Sequence, residues 1–303
     1  MDSIKKNLAL FHLPGLFEFY DFYCVFLSIY RNHPEYFYDW CRIASIYGAP
    51  ADCIWGGGRT GFGDTKAEDV FDLLKEYGIS ARLTFSNSLL ETQHLSDKKC
   101  NMICKVFEDA SSISNGVILH SDILLEYLKE HYPGFYFVSS TTKVITDFSK
   151  FIDELMRDDF SYVVVDFRLN KRFDELNLLE ENLKEKVEFL CNECCDVTCA
   201  QREACYRNVS QKNLGLNVED HICAKNGEND GYRFSQAMKN PAFIGIDYIE
   251  KKYLPMGFSN FKIEGRGLGS ALLLEFILYY MVKPEFQLVV REEIYLDNML
   301  DLF

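Results

Sequence analysis

A chain of 303 residues is long enough for one large α/β barrel or two smaller domains, and with 48% hydrophobic and 26% charged residues it has the make-up of a globular protein rather than a disordered one. Its formal net charge of −14 repels phosphate backbones, and the densest basic stretches, Lys98-Lys99 and Lys251-Lys252, are too short to offset it, so nucleic acid is a disfavoured partner. The opening Met1-Asp2-Ser3-Ile4-Lys5-Lys6 lacks a signal-peptide pattern, and the apolar residues that follow are broken by His12, Glu18 and Asp21, which argues against a membrane span.

Short β-rich runs then alternate with helix-like runs. Strands are expected at residues 8–12, 52–55, 81–85, 116–119, 135–138, 162–167, 187–190 and 260–263, mostly as near-continuous apolar stretches of the kind buried on both faces of a parallel sheet. Residues 64–77 read as a helix: Asp64 or Thr65 caps it, Val70, Leu73, Leu74 and Tyr77 recur at helical spacing, and Gly78 stops it. Residues 122–132 bury Leu124, Leu125 and Leu128 before Pro133, and residues 147–156 bury Phe148, Phe151, Ile152 and Leu155. The stretch 268–282 is apolar on most sides and stops before Pro284, as a well-packed final helix would. Alternation of this kind predicts a single (β/α)8 TIM-like barrel over residues 1–303, with a doubly wound open sheet as the competing architecture. Residues 191–240 break the alternation as a polar, cysteine-rich insertion between strands 7 and 8, expected at the C-terminal face and too long for a plain connection.

In such a barrel, chemistry sits where strands end and the loops to the next helix begin. The expected ends carry His12, Gly56-Gly57-Gly58-Arg59, Ser86-Asn87, His120-Ser121-Asp122, Ser139 to Thr142, Asp166 with Arg168, Asn192-Glu193 and Glu264-Gly265-Arg266. Strand ends are polar in any barrel, and Ser121 and Asp122 suffice as helix caps. Yet His12, His120, Asp166, Glu193, Glu264 and Arg266 together exceed what capping needs. They form the expected catalytic set, acids serving as general acid or base and arginines holding an anionic group. Gly56, Gly57, Gly58 and Asn87 are the expected cofactor-binding positions, because a glycine turn can present its backbone N–H groups to an anion, though it can equally serve only to turn the chain.

The most specific signal is cysteine. Six of the 11 cysteines, Cys191, Cys194, Cys195, Cys199, Cys205 and Cys223, lie within residues 191–223. An odd count in a chain that needs no disulfides to build a core points to a reducing, cytoplasmic setting, where clustered thiols bind metal. The irregular spacing favours an iron–sulfur cluster, with zinc as runner-up, over two regular zinc knuckles. The other five, Cys24, Cys41, Cys53, Cys100 and Cys104, read as small buried hydrophobes, although Cys41 or Cys53 could lend a fourth ligand.

Four stretches resemble the collagenase-like peptidases, peptidase family U-thirty-two. They are YGAPADCIWGGG (47–58), ISARLTFSN (79–87), GVILHSDILLEYLKEHYPGFYFVSSTTKVIT (116–146) and, most specific, FKIEGR (261–266). The resemblance implies a TIM-like barrel and a 4Fe–4S cluster, carried here by Cys195, Cys199, Cys205 and Cys223 with Cys191 or Cys194 as substitutes; the cysteine spacing departs from the family's usual one. It also implies activities ranging from peptidase to the hydroxylation of RNA bases or quinone rings.

The sequence therefore predicts an iron–sulfur enzyme that modifies, for instance by hydroxylation, a small or ring-shaped substrate. A zinc-stabilised scaffold for a partner protein and a divalent-metal hydrolase or peptidase built on His12, His120 and nearby carboxylates are the alternatives.

Overall fold

Eight parallel strands pair in sequence order and the eighth closes back on the first, so the sheet is a complete barrel. They are β1 Ala9–Pro14, β2 Cys41–Gly48, β3 Ser80–Phe85, β4 Gly116–Leu119, β5 Tyr136–Ser139, β6 Tyr162–Val164, β7 Val187–Leu190 and β8 Asn260–Lys262. The computed structural model describes residues 8–58, 63, 65–108, 113–223 and 232–296. The helices are α1 Tyr20–Asn32, α2 Ala67–Tyr77, α3 Lys98–Glu108, α4 Asp122–His131, α5 Phe148–Leu155, α6 Phe173–Asn177, α7 Glu181–Lys184, α8 Arg202–Asn213, α9 Phe234–Ala237, α10 Ile246–Tyr248, α11 Ser270–Tyr280 and α12 Gln287–Leu296. No described helix is long and apolar enough to cross a membrane.

Seven of the eight expected strands overlap the observed ones. The exception is the second. Residues 52–55 form a turn in which Asp52 is exposed, and the strand is Cys41–Gly48, which pairs with β1 on one side and β3 on the other. Its pattern was masked by the exposed Arg42 and by a register shift against β1 at Phe11/His12. The first strand also runs two residues past its expected end, so His12 is enclosed in the barrel rather than at its mouth.

Local signals explain the helix ends. Gly78 takes a left-handed φ of 70° and its N–H closes α2 on the carbonyls of Leu74 and Lys75. Thr65 does not cap this helix, since its hydroxyl donates to the Phe17 carbonyl; Asp64 and Arg59 lie outside the described residues. The carboxylate of Asp147 accepts from the Lys150 N–H and caps α5. Helix α11 is buried on nearly every side, as its sequence predicts. It is not the last helix, because α12 follows and packs on α1 and α11.

Strand β3 shows how the barrel is filled. All six residues of Ser-Ala-Arg-Leu-Thr-Phe are buried. Successive side chains face opposite sides of a sheet, so Ala81, Leu83 and Phe85 join the apolar shell under the helices while Ser80, Arg82 and Thr84 enter the barrel. Inside, a small apolar cluster of Tyr47, Ile118, Val138 and Val164 is separate from that shell. Next to it lies a charged layer. Glu188 accepts from the Arg82 guanidinium, lies 3.2 Å from the Lys262 ammonium and 3.6 Å from His12 Nε2. Arg82 Nε also donates to the Tyr136 hydroxyl at 2.8 Å. His12 Nδ1 accepts from Ser45 at 2.8 Å, which fits a neutral imidazole with its proton on Nε2.

Burial opposes the charge on Glu188, but Arg82, His12 and Lys262 hold its carboxyl well below the usual carboxylate range. Replacing Glu188 with Gln leaves two buried cations without their counter-charge. The expected loss is about 3–5 kcal/mol, read as a lower urea midpoint. His12 gives a separate acid response. Burial and then Arg82 lower its pKa from 6.5 to about 3. Above pH 6.5 the ring is neutral in both states and contributes nothing. As pH falls from there towards 3, the unfolded chain takes up a proton that the folded chain refuses, so stability drops by up to about 1.4 kcal/mol per pH unit. His12→Gln should flatten that part of the stability–pH curve.

Candidate functional site

Above the charged layer the barrel opens into a cavity of about 280 Å³. Tyr47, Ile118, Val164, Leu190 and Lys262 line its inner end. Residues just beyond the strands form its rim: Ser86 after β3, Ser140 to Thr142 after β5, Glu193 and Cys194 after β7, and Glu264 to Leu268 after β8. The cavity is therefore at the C-terminal face, where this architecture places chemistry. The hydroxyls of Thr84, Ser86 and Thr141 in its wall are buried and have no hydrogen-bond partner among the described residues. Buried hydroxyls are normally satisfied, so these three suit a ligand that carries polar atoms.

The expected catalytic residues fall into three groups. Glu193, Glu264 and Arg266 line the cavity. Arg266 is anchored from behind, with Nε donating to Glu18 at 2.8 Å and Nη2 to the Ala49 carbonyl at 2.9 Å. Asp166 and His120 lie beside the cavity. Asp166 binds Arg168 through both carboxylate oxygens at 2.7 and 2.8 Å. The His120 ring contacts the Thr142 hydroxyl at 2.9 Å, and burial, then Lys143, lowers its pKa. His12 lies beneath the cavity in the charged layer, outside its lining. The two histidines join no convergent set of metal-binding groups among the described residues.

Buried ion pairs hold the loop after β7. Arg202, at the start of α8, is 2% exposed and donates to Glu193 at 2.6 Å. Burial opposes its charge, yet Glu193 and Tyr206 keep its pKa well above the usual value. Its guanidinium lies 4.8 Å over the Phe167 ring. Glu193 also accepts from the Cys195 N–H at 2.9 Å. Asn240 donates to the carbonyls of Glu193 and Cys195, and Arg168 donates to that of Cys199.

Two of the expected cofactor-binding residues, Asn87 and Gly56, tie α8 to the barrel. The Asn87 amide donates to the carbonyls of Ile54 and Ser210, and its oxygen accepts from the Leu89 N–H. The Gly56 carbonyl accepts from Asn213 at 2.7 Å. Gly57 passes so close to the next strand that a Cβ would lie 2.1 Å from the Ser86 carbonyl oxygen. Of the three glycines only Gly58 reaches the cavity. Asn87→Ala should thus act on stability: losing three hydrogen bonds should cost about 3 kcal/mol, with hydrogen exchange in α8 accelerating ahead of that in the strands.

The cysteines separate in the same way. Cys195, Cys199, Cys205 and Cys223 are half-buried, as is Cys194, which lines the cavity. Cys191 is fully buried; its thiol faces the Phe189 carbonyl and burial raises its pKa well above the usual value. Neither Cys41 nor Cys53 reaches across. Cys41 donates to the Tyr280 carbonyl, and the Cys53 sulfur lies 3.1 Å from that of Cys100. No three thiols of the segment lie within 4.8 Å of one another among the described residues. The one convergent trio there, Glu193, Cys194 and Glu264, includes a carboxylate whose oxygens are already engaged by Arg202 and the Cys195 N–H.

Sequence reading missed Lys262, Arg82, Glu188 and Arg202. The first three had a legible signal, since polar residues alternate with apolar ones in S-A-R-L-T-F-S and N-F-K-I-E and Glu188 interrupts the apolar V-E-F-L. Arg202 had none, as nothing in its neighbours marks it for burial.

No model of a known protein family matches the chain, and no curated protein matches it significantly. Among solved structures, one described as "The Structure of the U32 Peptidase Mk0906" is similar over 88% of this chain and 96% of that one, with 15% identity and a TM-score of 0.49. A likeness of that depth says nothing of activity.

Proposed function

We propose that the chain is an enzyme that modifies a small, ring-sized molecule in the mouth cavity, with a 4Fe–4S cluster held on thiols at the cavity's edge. The observation that carries this reading is that the thiol-rich loop contributes Glu193 and Cys194 to the cavity's wall. Cys194 lines the space, and its neighbours Glu193 and Cys195 are fixed by Arg202 and Asn240.

An all-thiol donor set at irregular spacing suits a cluster better than a regular zinc knuckle. Cys195, Cys199, Cys205 and Cys223 would hold it. Arg168 donates to the Cys199 carbonyl, and the Cys195 N–H donates to Glu193, which Arg202 holds in place. When bound, the cluster supplies one-electron chemistry. The chain's own groups do the rest. Ile118, Val164 and Leu190 give the inner end apolar walls, Arg266 offers a fixed cation, and Glu264 is placed to exchange a proton. The resemblance of FKIEGR to a family that includes ring-hydroxylating members agrees with such a substrate. Peptidase chemistry has less support, since His12 is enclosed below the cavity and His120 contacts Thr142 rather than a cysteine.

Anaerobic purification with iron and acid-labile sulfide analysis tests the cluster. Roughly four of each per chain are expected. Cys195→Ser and Cys199→Ser should lose both, while Cys191→Ser keeps them. Zinc alone, or no metal, would overturn the cluster.

A further inference from the structure

Lys262 is the charged group at the cavity's inner end, and the proposed chemistry leaves it without a task. It sits on β8 two residues before Glu264, so both side chains face the barrel interior and both line the cavity. The layer it belongs to is unbalanced: Arg82 and Lys262 are two cations, Glu188 is one carboxylate, and His12 is neutral. Arg82 has the stronger claim on that carboxylate and adds a bond to Tyr136. Lys262 has a 3.2 Å contact with the other oxygen, its one hydrogen-bond partner among the described residues, and lies 3.8 Å from the centre of the Tyr47 ring. A surplus buried cation is costly, and an amine can shed its charge where a guanidinium cannot.

We propose that Lys262 is a nucleophilic amine that captures the carbonyl carbon of an aldehyde or ketone bound in the mouth cavity and forms an imine. The proposal rests on the reading of this cavity as a small-molecule site, and is independent of the cluster. In the first step the nitrogen lone pair forms a C–N bond as the C=O π bond breaks, and a proton moves from nitrogen to the new alkoxide to give a carbinolamine. In the second the hydroxyl leaves with a proton as water and the C=N bond forms. No oxidant or reductant is consumed. Glu264, on the same face of the strand, is the group placed to pass the proton. Other charged groups act on the amine as well. Burial is the main influence, Glu188 opposes it, and Arg82 and Arg266 act with burial, lowering the pKa to about 8. About a tenth of the chains then carries a free amine at pH 7 and about half at pH 8. Glu188 lies where it can offset the charge of a protonated imine.

The full chain should be treated at pH 8 with benzaldehyde and cyanoborohydride and mapped by peptide mass spectrometry. A benzyl group on Lys262, at least ten-fold above that on any other lysine, is the expected result. Labelling should rise from pH 7 to 9, and K262R, which keeps the charge but cannot form the imine, should show no dominant site while keeping the wild-type circular dichroism. Label spread over surface lysines with Lys262 unmodified would overturn the proposal. Benzyl alcohol, which has the ring without the carbonyl, separates the two readings by saturation-transfer NMR. If it binds and Lys262 is unlabelled, the imine falls and the cavity stands; if it does not bind and Lys262 is unlabelled, both fall.

Discussion

A single carboxylate at the centre of the barrel sets the terms for everything around it. Glu188 is fully buried and gathers Arg82 from β3, Lys262 from β8 and His12 from β1. Four strands are thus tied together through their inward faces by buried polar contacts rather than by apolar ones. A buried ion pair is weak support for stability by itself, because desolvation offsets most of its attraction. Its value here is directional. The pairing works only when β3 and β8 present their odd-numbered or even-numbered residues in the right register, since a one-residue slip would turn Arg82 or Lys262 outward into the apolar shell.

That layout also explains how much of the fold could be read from the sequence. Seven strands were visible as apolar runs because a parallel barrel is covered by helices outside and filled inside. The same feature hid the interior. A strand such as Ser80–Phe85 alternates polar and apolar residues, yet all are buried, so alternation marks the barrel lumen rather than solvent. Reading it as solvent-facing or ignoring it loses Arg82, and with it the charged layer. The second strand was missed for a different reason: the register shift beside His12 and the exposed Arg42 break its period, whereas the turn at 52–55 happens to hold buried Cys53 and Trp55.

At the mouth, legibility followed chemistry more than position. Glu193, Glu264 and Arg266 were found because they follow strands, and they do line the cavity. Asn87 and the glycine run were equally conspicuous, but Asn87 and Gly56 make their contacts with α8, more than 120 residues away in the chain for Asn87, and only Gly58 reaches the cavity. Helix α8 itself carries a weak signature. Its buried residues, Arg202, Tyr206 and Ser210, recur every four positions but are polar, so a search for apolar periodicity passes over them. Such a helix is attached by hydrogen bonds and ion pairs, which fix its orientation where a greasy stripe would allow sliding.

The closed charged layer has one more consequence. With His12, Arg82 and Glu188 filling the lumen below it, the cavity is a cup rather than a tube. Whatever enters by the rim leaves by the rim, so product and fresh substrate contend for one doorway. A space of about 280 Å³ lies at the small end of the range for ligand pockets, so a bound product would stand in the way of the next substrate.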